Sequence, residues 1–176
     1  MWIEAFLEYL TLERNYSLRT VEEYRDDLNA FESYYKKVDS TLSWETMDGD
    51  VVRDWMVSMM EAGRTATTVN RRLSALRTFY RYLLRRDWIK VDPVRNIQGP
   101  KKKKPLPVFL KESEMNRLLD GDFFGNDFLG KRDKLIVNTF YVTGIRLSEL
   151  TSLNNQDVDM WGGVIRVTGK RNKQRI

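Results

Sequence analysis

The chain has 176 residues, of which 30 are Lys or Arg and 25 are Asp or Glu, and it contains neither His nor Cys. Its hydrophobic fraction of 41% is typical of a globular protein. No apolar run approaches the roughly 18 residues of a membrane-spanning helix, and no secretory signal pattern opens the chain. Since a chain without cysteine is compatible with a reducing compartment, we expect a cytoplasmic protein with no membrane association.

The formal net charge of +5 is unevenly distributed along the chain. Residues 1–62 hold 6 Lys or Arg against 14 Asp or Glu, a net charge of −8. Residues 63–104 hold 13 against 2, or +11, and residues 105–176 hold 11 against 9, or +2. A strongly basic middle between acidic and near-neutral parts is typical of a protein that binds a polyanion along one belt.

Helical periodicity dominates the first part of the chain. Ser17 is a good N-cap for the second of three amphipathic helices, and Gly63 is a good stop for the third. Three groups of apolar residues recur at helical spacing: Ile3, Phe6, Leu7 and Leu10; Val21, Tyr24, Leu28, Phe31 and Tyr35; and Val52, Trp55, Met56 and Met59. With a fourth helix after Gly63, the pattern predicts a bundle of four helices without a sheet.

The fourth helix, from about Thr65 to Arg86, has two distinct faces. Its apolar face carries Val69, Leu73, Leu76, Tyr80 and Leu83. Its opposite face carries hydroxyl, amide and basic groups and no acid before Asp87, which favours nucleic-acid binding over a solvated helix face, the alternative reading. The predicted DNA-binding residues on this face are Thr67, Asn70, Arg71, Ser74, Arg77, Thr78, Arg81 and Arg85.

Residues 98–107 are a linker by composition, because prolines flank a run of four lysines that cannot enter a core. The linker divides the chain into a helical domain at residues 1–97 and a second domain at residues 108–176. A lysine run also serves as a solubility or targeting tag, but its place between two domains favours a strap along DNA, with one phosphate contact each from Lys101, Lys102, Lys103 and Lys104.

The second domain opens with a short helix from Glu112 to Leu119, whose Met115, Leu118 and Leu119 are predicted to be buried. Residues 121–130 form a loop with three phenylalanines that we expect to tuck under the domain. We assign the loop no role.

Thr143-Gly144 separates two apolar-periodic runs, so Arg146 is predicted in the first turn after a bend, near a helix N-terminus. There a guanidinium can hold two phosphate oxygens, and Glu149, one turn on, can pair with Arg146 and fix its rotamer. A surface Arg–Glu pair is the alternative reading.

Residues Val164 to Thr168 alternate as a β-strand does, and Gly169 to Lys173 predict a hairpin turn. The returning strand has barely begun at Ile176, which indicates the front portion of a longer protein. On its own, the turn favours a solvated basic loop that binds phosphate without specificity.

The segment TGIRLSEL, followed by a DVD turn and a strand that ends in TGKRNKQR, resembles the tyrosine recombinases, or phage-type integrases, and their Xer branch in particular. The pattern of Ser17, Thr20, Tyr24, Asp27, Leu28 and Phe31 also fits the N-terminal domain of that family, as Arg132-Asp133 fits the start of its next helix. The resemblance implies a mainly α fold: a four-helix SAM-like core-binding domain followed by the first helices and β-hairpin of an α+β catalytic domain.

Matched position by position, Arg146 corresponds to the first catalytic arginine, Glu149 to its acidic support and Lys170 to the hairpin lysine, with Lys173 a second candidate for the same task and for DNA contact. The family's His-x-x-Arg pair and nucleophilic tyrosine have no match, and none of the eight tyrosines occupies the nucleophile's place. The resemblance implies phosphoryl transfer without metal or nucleotide cofactor in the full-length protein, and a chain that binds DNA without cutting it.

The partners that the resemblance implies are a double-stranded, inverted-repeat DNA site and, for the full-length protein, a tetramer on paired sites. The segment that joins neighbouring subunits has no match, so we expect this chain to be monomeric. Two alternatives remain at this point: a non-catalytic DNA-binding protein, such as a decayed integrase that regulates or competes at recombination sites, and a basic helical adaptor for RNA or acidic proteins.

Overall fold

A computed structural model describes residues 1–102, 106–169 and 174–176. Four residues of the predicted site, Lys103, Lys104, Lys170 and Lys173, lie outside the described residues. The chain forms two compact units, Met1–Pro105 and Leu106–Ile176. Within the described ranges, no helix combines the length and the apolar character needed to cross a membrane.

The first unit contains helices α1 (Trp2–Leu12), α2 (Leu18–Val38), α3 (Gly49–Glu61) and α4 (Ala66–Arg85). The predicted bundle of four helices is therefore confirmed. Three of these helices begin at a side-chain cap that accepts a backbone N–H of the first turn, and the caps are Ser17, Asp48 and Thr65. Gly63 has a φ of 76°, which suits the turn between α3 and α4.

The core of the first unit consists of the apolar stripes that periodicity predicts, with Tyr24 half-buried at the margin. Residues outside the helices complete it. Trp44 and Met47, from the loop between α2 and α3, are buried there, as are Ile89, Val94 and Ile97 from the segment after α4. This segment turns back onto the bundle, so the first unit extends beyond its fourth helix.

The second unit contains α5 (Glu112–Asp120), α6 (Phe128–Thr143), α7 (Leu147–Thr151) and a single 3-10 turn, Asn155–Asp157. Strand β1 (Val158–Asp159) pairs antiparallel with β2 (Val164–Ile165), and β3 (Val167–Thr168) pairs antiparallel with β4 (Gln174–Arg175). A mainly α chain with a small hairpin region agrees with the predicted fold class.

Four details differ from the sequence prediction. The run Val164 to Thr168 is two strands, because Arg166 leaves the ladder and donates its N–H to the carbonyl of Asp157 at 2.8 Å. Helix α6 begins at Phe128 rather than near Arg132, and its N-cap is Asp127. Phe123 and Phe128 are exposed rather than tucked under the unit, and only Met115 of the predicted α5 stripe is fully buried.

Candidate nucleic-acid interface

The outer face of α4 carries the predicted basic and hydroxyl-bearing residues. The sequence of α4 from Ala66 to Arg85 contains no acid. Its other face is anchored in the core, so the polar face is turned outward by packing. On that face Thr67, Arg71, Ser74, Arg81 and Arg85 are exposed, whereas Asn70, Arg77 and Thr78 are half-buried.

Two of the half-buried residues hold the chain that leaves α4. The side-chain amide of Asn70 donates to the carbonyl oxygens of Ala66 at 2.7 Å and Pro100 at 2.8 Å. The guanidinium of Arg77 donates to the carbonyl oxygen of Ile97. The start of the predicted linker therefore lies against α4, and these two side chains have a structural task besides any contact with DNA.

The exposed arginines of α4 are oriented by neighbours within the unit. Arg71 makes two hydrogen bonds to the carboxylate of Asp27 on α2, at 2.6 and 2.9 Å. Arg85 donates to the hydroxyl of Tyr9 at 2.8 Å and lies over its ring. Arg81 donates through Nε to the carbonyl of Arg77 at 3.2 Å. Held guanidiniums lose less conformational entropy when they bind a phosphate.

Beyond Pro100, Lys101 and Lys102 are exposed. They extend the positive charge of the first unit past the end of α4. Among the described residues, no carboxylate forms an ion pair with either lysine. Two exposed ammonium groups are suited to phosphate contact and carry no base specificity.

In the second unit, Arg146 and Glu149 form the predicted pair. Gly144 ends α6 in the left-handed region, with a φ of 61°, and Arg146 is the N-cap of α7. The carboxylate of Glu149 accepts from the backbone N–H of Arg146 and from its guanidinium Nη1, both at 2.8 Å. The bend that the Thr143-Gly144 break predicts therefore fixes both the backbone and the side chain of Arg146.

Glu149 has a second guanidinium partner, Arg175 of β4. The side chain of Glu149 is only 4% exposed, whereas that of Arg146 is 67% exposed and that of Arg175 is 47% exposed. The backbone N–H of Arg146 is the main reason that the pKa of Glu149 lies below its usual range, and hydrogen bonds from the two guanidiniums add to this effect. One carboxylate thus orients two arginines whose outer edges remain accessible.

Helix α7 adds little to this site. It has five residues, Leu147–Thr151, so its dipole is too short to add an appreciable anion-binding field at Arg146. The positive potential comes instead from the two guanidiniums. Such a cluster is able to hold a phosphate through paired hydrogen bonds.

Sequence reasoning missed Asp27 and Arg175 as members of these sites. Asp27 was visible as an acid beside the apolar stripe of α2, but its partner Arg71 is 44 residues away in the chain. Arg175 lies 26 residues from Glu149. Neither spacing produces a local pattern, so only the packing of α2 on α4 and the pairing of β3 with β4 reveal these contacts.

Two family descriptions match the chain. Residues 3–87 match the phage integrase N-terminal SAM-like domain, and residues 108–176 match the phage integrase family. These ranges fall in the first and second units. The chain therefore belongs to the tyrosine recombinases of the phage integrase family and corresponds to an N-terminal portion of such a protein.

Within that family, the chain is similar to the Xer proteins. It is 39% identical over 178 residues to the tyrosine recombinase XerC of Pelotomaculum thermopropionicum, a match that covers 99% of this chain and 58% of the relative. It is 33% identical over 174 residues to the tyrosine recombinase XerD of Oceanobacillus iheyensis, with the same two coverages. The chain thus spans somewhat more than half the length of these relatives.

Solved integrase structures share the fold. The Tn1549 transposon integrase in complex with circular intermediate DNA aligns with a TM-score of 0.70 at 18% identity, over 98% of this chain and 57% of that chain. A lambda integrase dimer bound to a COC' core site aligns with a TM-score of 0.71 at 16% identity, over 99% of this chain and 57% of that chain. At these identities the likeness establishes the architecture.

Proposed function

We propose that this chain is the DNA-binding portion of a site-specific tyrosine recombinase. The observation that carries the proposal is the outer face of α4, which presents guanidinium and hydroxyl groups and no acid. A helix fits the major groove, where Arg, Ser and Thr reach base edges and phosphates. The chain belongs to the phage integrase family, and two of the solved structures that share its fold are bound to DNA, which also supports DNA as the partner.

The contacts divide by chemistry. Arg81, Thr67 and Thr78 are suited to the groove, and Arg71, Ser74 and Arg85 are suited to the phosphates that flank it. Side chains of α2 and α1 orient Arg71 and Arg85. Lys101 and Lys102 extend the phosphate contacts past α4, and Lys103, Lys104 and Lys173 are proposed to do the same.

In the full-length protein, we assign Arg146 to the scissile phosphate. The nucleophilic tyrosine of the family, which has no match among the residues of this chain, attacks the phosphorus, and the 5′ oxygen leaves. The resulting 3′-phosphotyrosyl bond retains the energy needed for rejoining. Arg146, oriented by Glu149, stabilises the negative charge that builds on the non-bridging oxygens. Lys170, or Lys173 in its place, protonates the departing oxygen as a general acid. Arg and Lys supply the positive charge, so the scheme requires no metal ion and no nucleotide.

The assembly follows the family expectation. The full-length protein is proposed to act in the cytoplasm as a tetramer on paired inverted-repeat sites, while the 176-residue chain is proposed to be monomeric and inactive in cleavage. Light scattering of the chain with and without a duplex tests the monomer, since a tetramer in the absence of DNA would contradict it.

The binding surface is tested by fluorescence anisotropy with an inverted-repeat duplex, a shuffled duplex and an RNA of the same length. Arg81→Ala is expected to weaken duplex binding about tenfold and to reduce the salt slope by about one unit, because a basic contact is lost. Arg53→Ala removes an exposed arginine from α3 and serves as the control. Wild-type affinity in Arg81→Ala would mean that the DNA binds to a surface other than the α4 face. Tighter binding of the chain to the RNA than to either duplex would support the alternative function as an RNA adaptor.

The role of Arg146 is tested in the full-length protein with a nicked duplex that traps the covalent complex. Arg146→Ala is expected to abolish the covalent complex and to leave duplex affinity within about twofold, because the charge it stabilises develops only in the transition state. Arg117→Ala, on the exposed face of α5, is the control. A normal yield of covalent complex from Arg146→Ala would remove Arg146 from the catalytic residues.

A further inference from the structure

A buried carboxylate joins α2 to the basic face of α4. The side chain of Asp27 is 3% exposed. Its two oxygens accept hydrogen bonds from both terminal nitrogens of Arg71, at 2.6 and 2.9 Å. The Nε of Arg72 lies 3.4 Å from the same carboxylate, and the rest of that guanidinium contacts the sulfur of Met59 and the ring of Trp55. One acid thus lies between two guanidiniums.

The two arginines differ in their surroundings. The side chain of Arg72 is 23% exposed and is packed among core residues, so it compensates the buried charge of Asp27. The side chain of Arg71 is 47% exposed, at the outer end of the pair. Burial raises the pKa of Asp27, and the guanidiniums of Arg71 and Arg72 oppose that shift.

Arg71 keeps donors for a further partner. A guanidinium has five N–H donors in a planar fork, and the two hydrogen bonds to Asp27 use only one edge of it. The planar pair fixes the rotamer, so the remaining donors have a defined direction. An arginine without this anchor would sample many rotamers and would lose that freedom when it binds a phosphate.

Arg71 and Asp27 both line a depression of about 120 Å³ between α2 and α4. Thr20 and Ser74 contribute hydroxyl groups to its lining, which are further donors for a phosphate oxygen. Glu23 also lines it, and its carboxylate lies 3.9 Å from Nη1 of Arg71. The side chain of Glu23 is 53% exposed, and its other carboxylate oxygen lies 3.6 Å from Nε of the exposed Arg19, which gives Glu23 an alternative partner when an anion binds Arg71.

We propose that Asp27 is a positioning residue for DNA binding: it holds the guanidinium of Arg71 at the mouth of this depression, where Arg71, Thr20 and Ser74 take one backbone phosphate. The proposal rests on the proposed function of the α4 face and adds to it a contact between α2 and α4. Asp27 itself touches no DNA. Its carboxylate acts through Arg71, and Arg72 keeps the carboxylate compensated in the core.

Substitution of Asp27 by Asn removes a negative charge near the DNA and also removes the anchor of Arg71. These two changes have opposite effects on DNA affinity. Removal of a negative charge beside DNA, if charge alone matters, strengthens binding and steepens its salt dependence. Loss of the anchor weakens binding and reduces the salt slope by about 0.9, which is the contribution of one phosphate contact. The direction of the change therefore decides between them.

The experiment measures the Kd of the 176-residue chain for a random-sequence duplex over a series of salt concentrations. Asp27→Asn is expected to raise Kd about tenfold and to reduce the salt slope. Asp26→Asn removes the same charge from an exposed position next to it and is the matched control, expected to bind as tightly as wild type or more tightly. In the Arg71→Ala background, Asp27→Asn is expected to cause no further loss of affinity.

Arg71→Lys is a second variant that tests the proposal even if Asp27→Asn fails to fold. It retains the positive charge at position 71 and loses the planar pair with Asp27. Weaker binding of Arg71→Lys supports the proposal. The proposal is overturned if Arg71→Lys, or Asp27→Asn with a wild-type circular dichroism spectrum, binds the duplex as tightly as wild type or more tightly. The proposed function would stand in that case, because the chain still binds DNA. If the wild-type chain does not bind the duplex at all, the proposed function has failed instead.

Discussion

Tyr80 shows how a single buried hydroxyl group affects stability. The ring is fully buried in the core of the first unit, and its hydroxyl oxygen has no hydrogen-bond partner in the described part of the chain. Transfer of a hydroxyl group from water to a site without a hydrogen-bond partner costs free energy. Burial accordingly raises the pKa of Tyr80.

We predict that Tyr80→Phe raises the free energy of unfolding by about 1 kcal/mol, because it removes this cost and keeps the ring. Urea denaturation followed by circular dichroism measures the change. Tyr35→Phe is the control, since the hydroxyl of Tyr35 donates to Glu32 at 3.1 Å and its loss is expected to destabilise the unit by a similar amount. Destabilisation by both variants would show that Tyr80 has a partner in solution.

Glu149 makes the turn at Arg146 depend on pH. Its pKa is lowered mainly by the backbone N–H of Arg146, so the turn contributes stability above the ordinary carboxyl pKa of 4.5 and loses it as the pH falls through the lowered value. We predict that the amide resonance of Arg146 titrates with a midpoint below 4.5 in an NMR titration. Glu149→Gln is expected to abolish this titration, and a midpoint above 4.5 would contradict the prediction.

At the scale of the elements, α4 begins at a side-chain cap. The hydroxyl of Thr65 accepts the backbone N–H of Thr68 at 3.3 Å. We predict that Thr65→Ala lowers the free energy of unfolding by about 1 kcal/mol, because one backbone donor of the first turn loses its partner. Thermal unfolding measures this loss. Thr67→Ala, two residues on and exposed, is expected to leave stability within about 0.5 kcal/mol of wild type, and equal losses from both would remove the cap as the cause.

The helices of the first unit were predictable because each one carries its own signals: an apolar stripe at helical spacing and, for α2 and α4, a hydroxyl cap. The strands of the second unit were not. Residues on either side of Arg166 have different partners, and only the hydrogen bond of its N–H to Asp157 marks the change. Periodicity describes which face of a segment is apolar and contains no information about the strand it pairs with.

The candidate sites divide in the same way. Arg146 and Glu149 lie one turn apart, so their pairing followed from spacing. The tasks of Asn70 and Arg77 did not, because their acceptors are carbonyl oxygens of a segment that returns to α4 from 20 or 30 residues further along the chain. An outward position on a helix therefore predicted exposure for residues that tertiary contacts half-bury.

At the scale of the whole molecule, the two units differ in how much apolar surface they bury. Nearly all buried apolar side chains belong to the first unit, whereas the described part of the second contributes Met115, Ile145 and Val167. Helix α6 has no buried residue, and Leu135 and Val142 are exposed along it. Burial is the main source of stability, so we expect the second unit to be the less stable of the two.

We predict two thermal transitions for the 176-residue chain, the lower from the second unit. Differential scanning calorimetry measures them, and proteolysis between the transitions is expected to leave a resistant fragment that ends near residue 100. The isolated first unit is the control and is expected to show only the upper transition. A single transition shared by both units would contradict the prediction.

The turn between β1 and β2 gives the chain a built-in optical reporter. Trp161 at this turn is fully solvated, while Trp44 and Trp55 are enclosed in the first unit. Trp2 and Trp88 are half-buried and stack on each other, so Trp161 is the most exposed of the five indoles. Iodide is expected to quench the long-wavelength edge of the emission most strongly, and Trp161→Phe is expected to remove the largest part of that quenching. A ligand that shields the β1–β2 turn is then expected to reduce the part of the quenching that Trp161→Phe removes.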